Sequence, residues 1–472
     1  MSEKAKRLPR LNVPASAGMW YTITSFIERG SVIIFTPIYT RLLLPEAYGI
    51  YSLYTSILAI ATVIITLEIS GGAIYRGLKE FKEKDVFISS ALGLISLSSI
   101  IFFLIYLIFS NRINSITSFD TRLMSILFIH VFLNGVRSLK ISEAKFFYDK
   151  KLPLIEGIFF SLIIPILTIT LIIFYGEGKY AKIYANALAA LIFAIPIFVS
   201  IIKRGKSHFF KKEIWKFLLK YTLPSLPHYI SMSLIWQIGK IIVGNRFSYA
   251  EAGLMSIAIS VGVIPTLLTL GMQSSLIPWI TRKLSEGKTG QKRIYSLISS
   301  VFFPLCLSVT LFLLVCPEIF SIISAKEYRG ALSAVYPVAA SIPISFLTNL
   351  FSMEISYYKK THLVALGSVL GAVFSLFFNL LFTFKLGYTF SAFLILPSFL
   401  IIFLSYVLIL KKKFGHIDLP FKKILGAYSL FIISVFLSAF LKISILARVF
   451  LSFAVLLMII PKIKELKPLI SE

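Results

Sequence analysis

One face of the first apolar stretch carries polar side chains, which belong to Tyr21, Thr24, Ser25, Glu28 and Ser31. Their spacing places all of them on the same side of a helix. A charge near the centre of a membrane costs at least about 2.5–3.5 kcal/mol, so such a stripe should face a protein interior or a water-filled cavity. A carboxylate in that place can take up a proton. Coupling of transport to H⁺ or Na⁺ at Glu28 is therefore one interpretation. We expect no cofactor.

Arg29 follows Glu28 directly and projects about 100° around the helix from it. Its guanidinium would attract an anionic group, and Glu28 would tune that attraction or exchange a proton. The alternative is structural, with both charges paired to other helices and no contact with a substrate.

A second polar stripe lies in the seventh apolar stretch, where Tyr229, Ser233, Trp236, Gln237 and Lys240 share a helical face. Aromatic rings stack on sugar rings, while amide and hydroxyl groups meet sugar hydroxyls. The combination indicates a carbohydrate ligand. Lys240 lies nearer the outer end, so its ammonium could instead reach the membrane surface.

The other polar residues within apolar stretches occur singly, and we expect them to serve helix packing or to reach the membrane interface. They are Glu68, Asn134, Asn349, Glu354 and Asn379. The only two cysteines lie in one apolar run, and the five histidines have no metal-ligand spacing. The sequence therefore predicts no metal site and no catalytic residue.

These residues must be positioned by membrane-spanning helices. The chain has 472 residues, of which 57% are hydrophobic and 15% charged. This composition excludes a soluble or disordered protein. Apolar runs predict an all-α polytopic membrane protein with about fourteen spans, at 15–38, 46–70, 86–109, 121–139, 154–175, 181–202, 222–245, 254–277, 295–317, 331–355, 361–384, 388–410, 423–441 and 443–461.

The net charge of +27 would suggest nucleic acid in a soluble protein. Here most Lys and Arg fall in alternate loops or near the ends of spans, and Arg29 and Lys240 are counted within spans. That distribution predicts a multi-pass membrane protein with both termini in the cytoplasm, and with lipids rather than nucleic acid as partners. No loop could hold a catalytic domain, and no GxxxxGK[ST] sequence occurs, so neither an enzyme nor a nucleotide-driven pump is expected.

A short internal repeat predicts two equivalent halves. Arg41 and Glu46, at the first hairpin, recur with the same spacing as Arg246 and Glu251. Parallel repeats of this kind place substrate between two bundles that rock against each other. These arginines, with Glu28 and Glu68, are candidates for coupling or gating. The alternative is chance similarity of two turns capped by Glu.

The repeat predicts four segments along the chain. They are an N-terminal six-helix bundle (1–202), a basic cytoplasmic linker (203–221), a C-terminal six-helix bundle (222–410), and an additional two-helix hairpin with a cytoplasmic tail (411–472).

Two stretches carry a family resemblance. RGSVIIFTPIYTRLLLPEAYGIYSLYTS, which follows Glu28, and LPSLPHYISMSLIWQIGKIIVGNRFSYAEAGLMSIAISVG, from residue 223, resemble the Wzx-type oligosaccharide flippases of the multidrug/oligosaccharidyl-lipid/polysaccharide (MOP) exporter superfamily. The resemblance implies a V-shaped pair of bundles around a basic cavity. It also implies transfer of undecaprenyl-diphosphate-linked glycans, such as O-antigen, lipopolysaccharide or capsule repeat units, to the outer leaflet of a bacterial or archaeal cytoplasmic (inner) membrane.

On this resemblance Arg29 and Lys240 are candidates to bind the diphosphate or acidic sugars, and the glycan polymerase and glycosyltransferases are candidate partners. The chain departs from the family where an acidic residue often precedes an arginine in the seventh span, since it has Gly239 and Lys240 there. Other classes stay open. They are a cation-coupled drug antiporter of the same superfamily, a membrane enzyme and a scaffold. An acidic cavity would suit the antiporter better than one that contains Arg29 and Lys240.

Overall fold

The computed structural model describes residues 12–176, 178–206, 208–415, 421–440, 447–455 and 457–458. Within these residues all regular structure is helical. The helices are α1 (Asn12–Leu42), α2 (Pro45–Ile65), α3 (Gly72–Glu80), α4 (Lys84–Ile108), α5 (Ser110–Thr117), α6 (Thr121–Phe146), α7 (Lys151–Tyr175), α8 (Ala181–Arg204), α9 (Lys212–Thr222), α10 (Leu226–Arg246), α11 (Tyr249–Gly262), α12 (Thr266–Leu284), α13 (Lys288–Ile323), α14 (Leu332–Tyr357), α15 (Thr361–Phe393), α16 (Ile395–Phe414) and α17 (Phe421–Phe440).

The predicted fold class is confirmed, because the described chain is a bundle of long apolar helices. Nine described helices are long and apolar enough to cross a membrane, and the bent pair of α11 and α12 would add a tenth. A helix lies at each predicted span position that the structure describes, although two of these helices are broken. Of the last predicted span (443–461), only residues 447–455 and 457–458 are described. Of the rest of the 411–472 segment, the structure describes residues 411–415 and 421–440.

Two spans are broken where the sequence predicts continuous helices. The second ends at Ile65, and Leu67 and Glu68 follow with φ of 54° and 47°. The eighth is interrupted after Gly262, and α12 continues at 45° to α11. Pro265 explains the second break, since proline has no N–H to donate to a continuing helix.

Helix α6, which occupies the fourth predicted span (121–139), is longer than predicted. The apolar run ends near residue 139, but α6 continues to Phe146. The helix therefore includes Lys140 and Lys145, which lie beyond the predicted end of the span, as well as Arg137 just before that end. Hydrogen bonding of the backbone favours extension of the helix even where its side chains are polar.

The N half (α1–α8) and the C half (α10–α17) meet closely at the junction end, which is the end of the bundle where the chain turns between α1 and α2. A Cβ atom at Gly49 would overlap the carbonyl of Tyr249, and one at Gly253 would overlap the carbonyl of Pro45. The backbones of α2 and α11 therefore touch, and only glycine permits this approach.

Ion pairs join the helices at the opposite end, which we call the basic end. Arg204 contacts Glu143 at 3.1 Å and Asp85 at 3.2 Å. In the predicted linker, Lys211 pairs with Glu83 at 3.1 Å, and Trp215 donates a hydrogen bond of 2.9 Å to the carbonyl of Ser90. The linker is thus largely the helix α9, which packs against the N half.

Candidate functional site

The polar stripe of α1 lies against α7 and α6 of the N half. Glu28 is exposed, and a Cβ atom at Gly157 of α7 would be 3.4 Å from its Oε1 atom. The positive charges of Arg137, Lys145 and Arg29 act on the Glu28 carboxylate. Glu28 therefore belongs to a charged cluster and is not an isolated carboxylate.

Arg29 connects the two halves. Its Nη1 atom donates a hydrogen bond of 2.6 Å to the hydroxyl of Thr266, the first residue of α12 in the C half. The guanidinium is exposed. Arg29 therefore lies where α1 of the N half meets α12 of the C half, and its role in substrate binding stays a prediction.

The hydroxyl groups of the α1 stripe have partners close by. Thr24 donates to the carbonyl of Trp20 at 3.0 Å, Ser25 to that of Tyr21 at 3.1 Å, and Ser31 to that of Glu28 at 2.8 Å. Tyr21 donates to the carbonyl of Asp149 at 3.2 Å. Because the hydroxyl groups already have hydrogen-bond partners, the charged groups are the part of the stripe that is free to interact with a ligand.

The α10 stripe divides between two environments. A Cβ atom at Gly71 would be 3.3 Å from the Tyr229 hydroxyl, which places Tyr229 beside the turn after α2. The Trp236 ring packs on Phe399 of α16, with centroids 5.6 Å apart. These two members of the stripe therefore contact different halves of the molecule.

The remaining members of the α10 stripe differ in exposure. Ser233 is half-buried, and the Oε1 atom of Gln237 is buried without a hydrogen-bond partner in the described structure. Lys240 is only 8% exposed, and among the described residues no carboxylate pairs with it. Gln237 and Lys240 thus retain unused hydrogen-bonding capacity.

Glu68 is not within the second span, where the sequence placed it, but in the turn after α2. The turn, α2 and α6 line an open cavity of about 350 Å³. The cavity is lined by Thr55, Leu58, Ala59, Thr62, Thr66, Glu68, Ser70, Asn134, Arg137 and Ser138. Most of these side chains are polar, so the cavity suits water or a polar group.

Arg137 is the central residue that the sequence pattern missed. Its Nε atom is 3.3 Å from Oε1 of Glu156 in α7, and its guanidinium lies 4.5 Å from the centroid of the Phe160 ring. The same side chain lines the cavity that contains Glu68. Arg137 thus links the charges of α1 and α7 to the cavity, a role that an apolar run cannot reveal.

The gating candidates occupy the junction end. Arg41 donates to the carbonyl of Pro37 at 3.0 Å and reaches that of Ile322, in the C half, at 3.4 Å. Arg246 is exposed in the last turn of α10. The equivalent arginines therefore end equivalent helices, which agrees with the sequence repeat.

Two of the isolated polar residues have structural partners. Glu354 accepts a hydrogen bond of 2.9 Å from Tyr295, and Asn379 accepts one of 2.5 Å from Ser391. Both side chains are buried. Their contacts agree with the helix-packing interpretation.

The family model described as "Polysaccharide biosynthesis protein" matches residues 16–284, which is more than half of the chain. The chain belongs to this polysaccharide biosynthesis family. The match includes both polar stripes and both hairpins of the repeat. It agrees with the resemblance to Wzx-type flippases, which is based on the same segments.

An "Uncharacterized membrane protein" of Haemophilus influenzae is 25% identical over 220 residues, which are 44% of this chain and 52% of that protein. The chain thus spans about half the length of this relative. Among solved structures, a "Lipid II flippase MurJ, inward closed conformation" is similar with a TM-score of 0.72 at 15% identity, over 93% of this chain and 98% of that one.

An inward-facing MATE family multidrug resistance transporter of the MOP superfamily is also similar. Its TM-score is 0.63 at 14% identity, with 90% of this chain and 99% of that chain covered. At these identities the likeness establishes the fold. The chain therefore shares its fold with a lipid II flippase and with a multidrug resistance transporter.

Proposed function

We propose that this protein is a flippase that transfers undecaprenyl-diphosphate-linked oligosaccharide across the cytoplasmic membrane by alternating access. The observation that carries the proposal is the position of Arg29, an exposed cation of the N half that reaches Thr266 of the C half within a polysaccharide biosynthesis family chain. A cation between two bundles can attract a diphosphate, which charge pairing in a low-dielectric site favours.

The orientation follows the distribution of positive charge. The basic end, with Arg204, Lys211 and the other lysines of the α9 segment, faces the cytoplasm, as do both termini, and the junction end faces outward. The lipid tail stays in the bilayer while the headgroup passes between the bundles of residues 1–202 and 222–410. The segment 203–221 connects the two bundles, and the segment 411–472 is the additional two-helix hairpin with its cytoplasmic tail.

The charged cluster of the N half supplies a means of coupling. Glu28 and Glu156 share Arg137 as a cationic neighbour, and Glu68 lines the cavity that Arg137 also lines. A change of protonation or a bound sodium ion there would alter the charge that the substrate meets. The protein performs no covalent chemistry in this proposal. Glycosyltransferases act before transport, and a glycan polymerase acts after it.

The same carboxylates favour a second candidate function, a cation-coupled antiporter for small molecules. Glu28, Glu68 and Glu156 would then bind the exported cation or the coupling ion. Arg29 and Lys240 oppose this function, because both would repel an organic cation.

The test is the leaflet distribution of undecaprenyl-diphosphate-linked oligosaccharide in cells that lack this gene and any second flippase. We expect the lipid to accumulate in the inner leaflet and the wild-type gene to relieve the accumulation. Arg29→Ala and Lys240→Ala should each relieve it at least about tenfold less well, since each loses a charge contact to the diphosphate.

Arg112→Ala is the matched control, because Arg112 is an exposed arginine of α5, away from the α1 and α10 stripes. It should behave as the wild type does. An unchanged leaflet distribution in the deletion strain would contradict the flippase and favour the antiporter. Activity of Arg29→Ala equal to that of the wild type would remove Arg29 from the path.

A further inference from the structure

Lys182, near the start of α8, is a buried cation that the proposed transport path does not include. Its side chain is 8% exposed. Among the described residues no carboxylate pairs with its ammonium group. The residue also lies in the first turn of a helix, where the helix dipole is positive and a lysine is unfavourable. The ammonium group of Lys182 is therefore buried without an anionic partner, although its position at the start of a helix favours an anion.

Three tyrosine rings surround the ammonium group instead. The Nζ atom of Lys182 lies 4.1 Å from the ring centroid of Tyr39 and 4.3 Å from those of Tyr48 and Tyr51. The faces of aromatic rings attract a cation, but the rings carry no net charge. The positive charge of this tyrosine cage (Lys182, Tyr39, Tyr48 and Tyr51) is therefore sheltered and not neutralised.

The cage is closed by the contact between the two halves. The Tyr48 ring meets the ring of Tyr328 edge to face, with centroids 6.1 Å apart, and the Tyr328 hydroxyl donates to the carbonyl of Leu43 at 2.9 Å. Tyr39 and Tyr48 are packed in one apolar core with residues of the C half. Separation of the halves at the junction end would remove this cover.

We infer that Lys182 is an anion-binding residue that the junction contact covers in this conformation and that becomes available when the junction end opens. The inference rests on the proposed function, because the group that it receives is the diphosphate of the transported lipid. Arg29 and Arg137 attract this group in the present state. Lys182 receives it at the outer end, where the ammonium is hydrated after Tyr48 separates from Tyr328.

A binding site that exists in only one conformation has a measurable consequence. An anion that binds Lys182 only in the open state must shift the population toward that state by its difference in affinity. If the cage were solely a clamp that keeps the junction closed, loss of Lys182 would favour opening without any anion. The response to an anion therefore separates the two roles.

The experiment measures the distance between spin labels at Leu44→Cys and Lys326→Cys, which are exposed on opposite sides of the junction. The native Cys306 and Cys316 are buried, so labelling is selective. Purified full-length protein in lipid nanodiscs is measured with and without millimolar inorganic pyrophosphate. We expect pyrophosphate to raise the population with the longer distance at least about threefold.

Lys182→Met should abolish the response to pyrophosphate, and Lys182→Arg, which keeps the charge, should retain it. Lys179→Met removes a nearby lysine that lies outside the cage and should respond as the wild type does. An equal response of the wild type and Lys182→Met, or no response of the wild type, would overturn the inference.

The probe contains neither glycan nor prenyl tail, so this result is independent of the transport assay. A response that requires Lys182, together with failure to move the lipid-linked oligosaccharide, would refute the proposed substrate and leave the anion site. Normal transport with no response to pyrophosphate would refute the site and leave the proposed function.

Discussion

Single residues decide how charge is tolerated inside this bundle. Arg137 is held by Glu156 and by the Phe160 ring, and Lys182 by three tyrosines. The partners are distant in sequence, so the sequence could not link either cation to them, although both lie close to an end of a predicted span (121–139 and 181–202). The two stripes were predictable, because side chains at helical spacing share a face whatever the rest of the fold does.

Arg137→Met would leave the Glu156 carboxylate without its ion pair. We expect the free energy of unfolding to fall by about 2–3 kcal/mol, less than for a fully buried pair, because the Arg137 side chain is 31% exposed. The double variant Arg137→Met/Glu156→Gln should recover most of the loss, since no charge is then left unpaired. Thermal unfolding of the purified protein measures both.

Arg122→Met is the control for this cycle, because Arg122 lies on the same helix and is exposed. Its effect should stay within about 0.5 kcal/mol. An equal loss in the single and double variants would mean that the ion pair does not account for the stability.

At the scale of elements, apolar runs predicted where helices cross the membrane but not where they break or extend. The break after Ile65 contains no proline, and its residues Leu67 and Ile69 continue the apolar run. The extension of α6 beyond residue 139 has the opposite cause, since its charged side chains end the apolar run while the backbone continues to form a helix. The pattern reports side-chain polarity, whereas the helix depends on backbone hydrogen bonds.

The contact of α2 with α11 depends on glycine. Gly49→Ala would force the helices apart, because the new Cβ atom would overlap the Tyr249 carbonyl. We expect a loss of stability of about 1–3 kcal/mol, as for other overpacked contacts, and a similar loss for Gly253→Ala. Thermal unfolding of each purified variant measures the change.

Gly18→Ala serves as the control, since Gly18 lies in α1 with no atom within 4 Å of the added Cβ. It should be neutral or slightly stabilising, because alanine favours the helix. Unchanged stability of both Gly49→Ala and Gly253→Ala would show that α2 and α11 do not touch in the protein in solution.

At the scale of the whole molecule, the two ends of the bundle have different chemistry. At the basic end, ion pairs such as Arg204 with Glu143 join helices within the N half, while at the junction end glycine backbones and tyrosine rings join the N half to the C half. Apolar and aromatic contacts separate without leaving a charge unpaired, whereas ion pairs do not. The two halves can therefore separate at the junction end without breaking an ion pair there, as the proposed transport cycle requires.

The orientation of these ends can be tested with single cysteines. Lys326→Cys lies at the junction end and Lys212→Cys at the start of α9, and both positions are exposed. A membrane-impermeant maleimide should label Lys326→Cys on intact cells and Lys212→Cys only after permeabilisation, because positive segments stay in the cytoplasm. The native cysteines are buried, so the unsubstituted protein should show little labelling in either condition.

The reverse labelling pattern would contradict the orientation and have a consequence for the mechanism. The closed junction would then face the cytoplasm, and the covered Lys182 would be the first cation, rather than the last, that a cytoplasmic diphosphate meets. Arg29 and Arg137 would in turn act in release. The order in which the proposed cationic sites would meet the diphosphate thus depends on this one measurement.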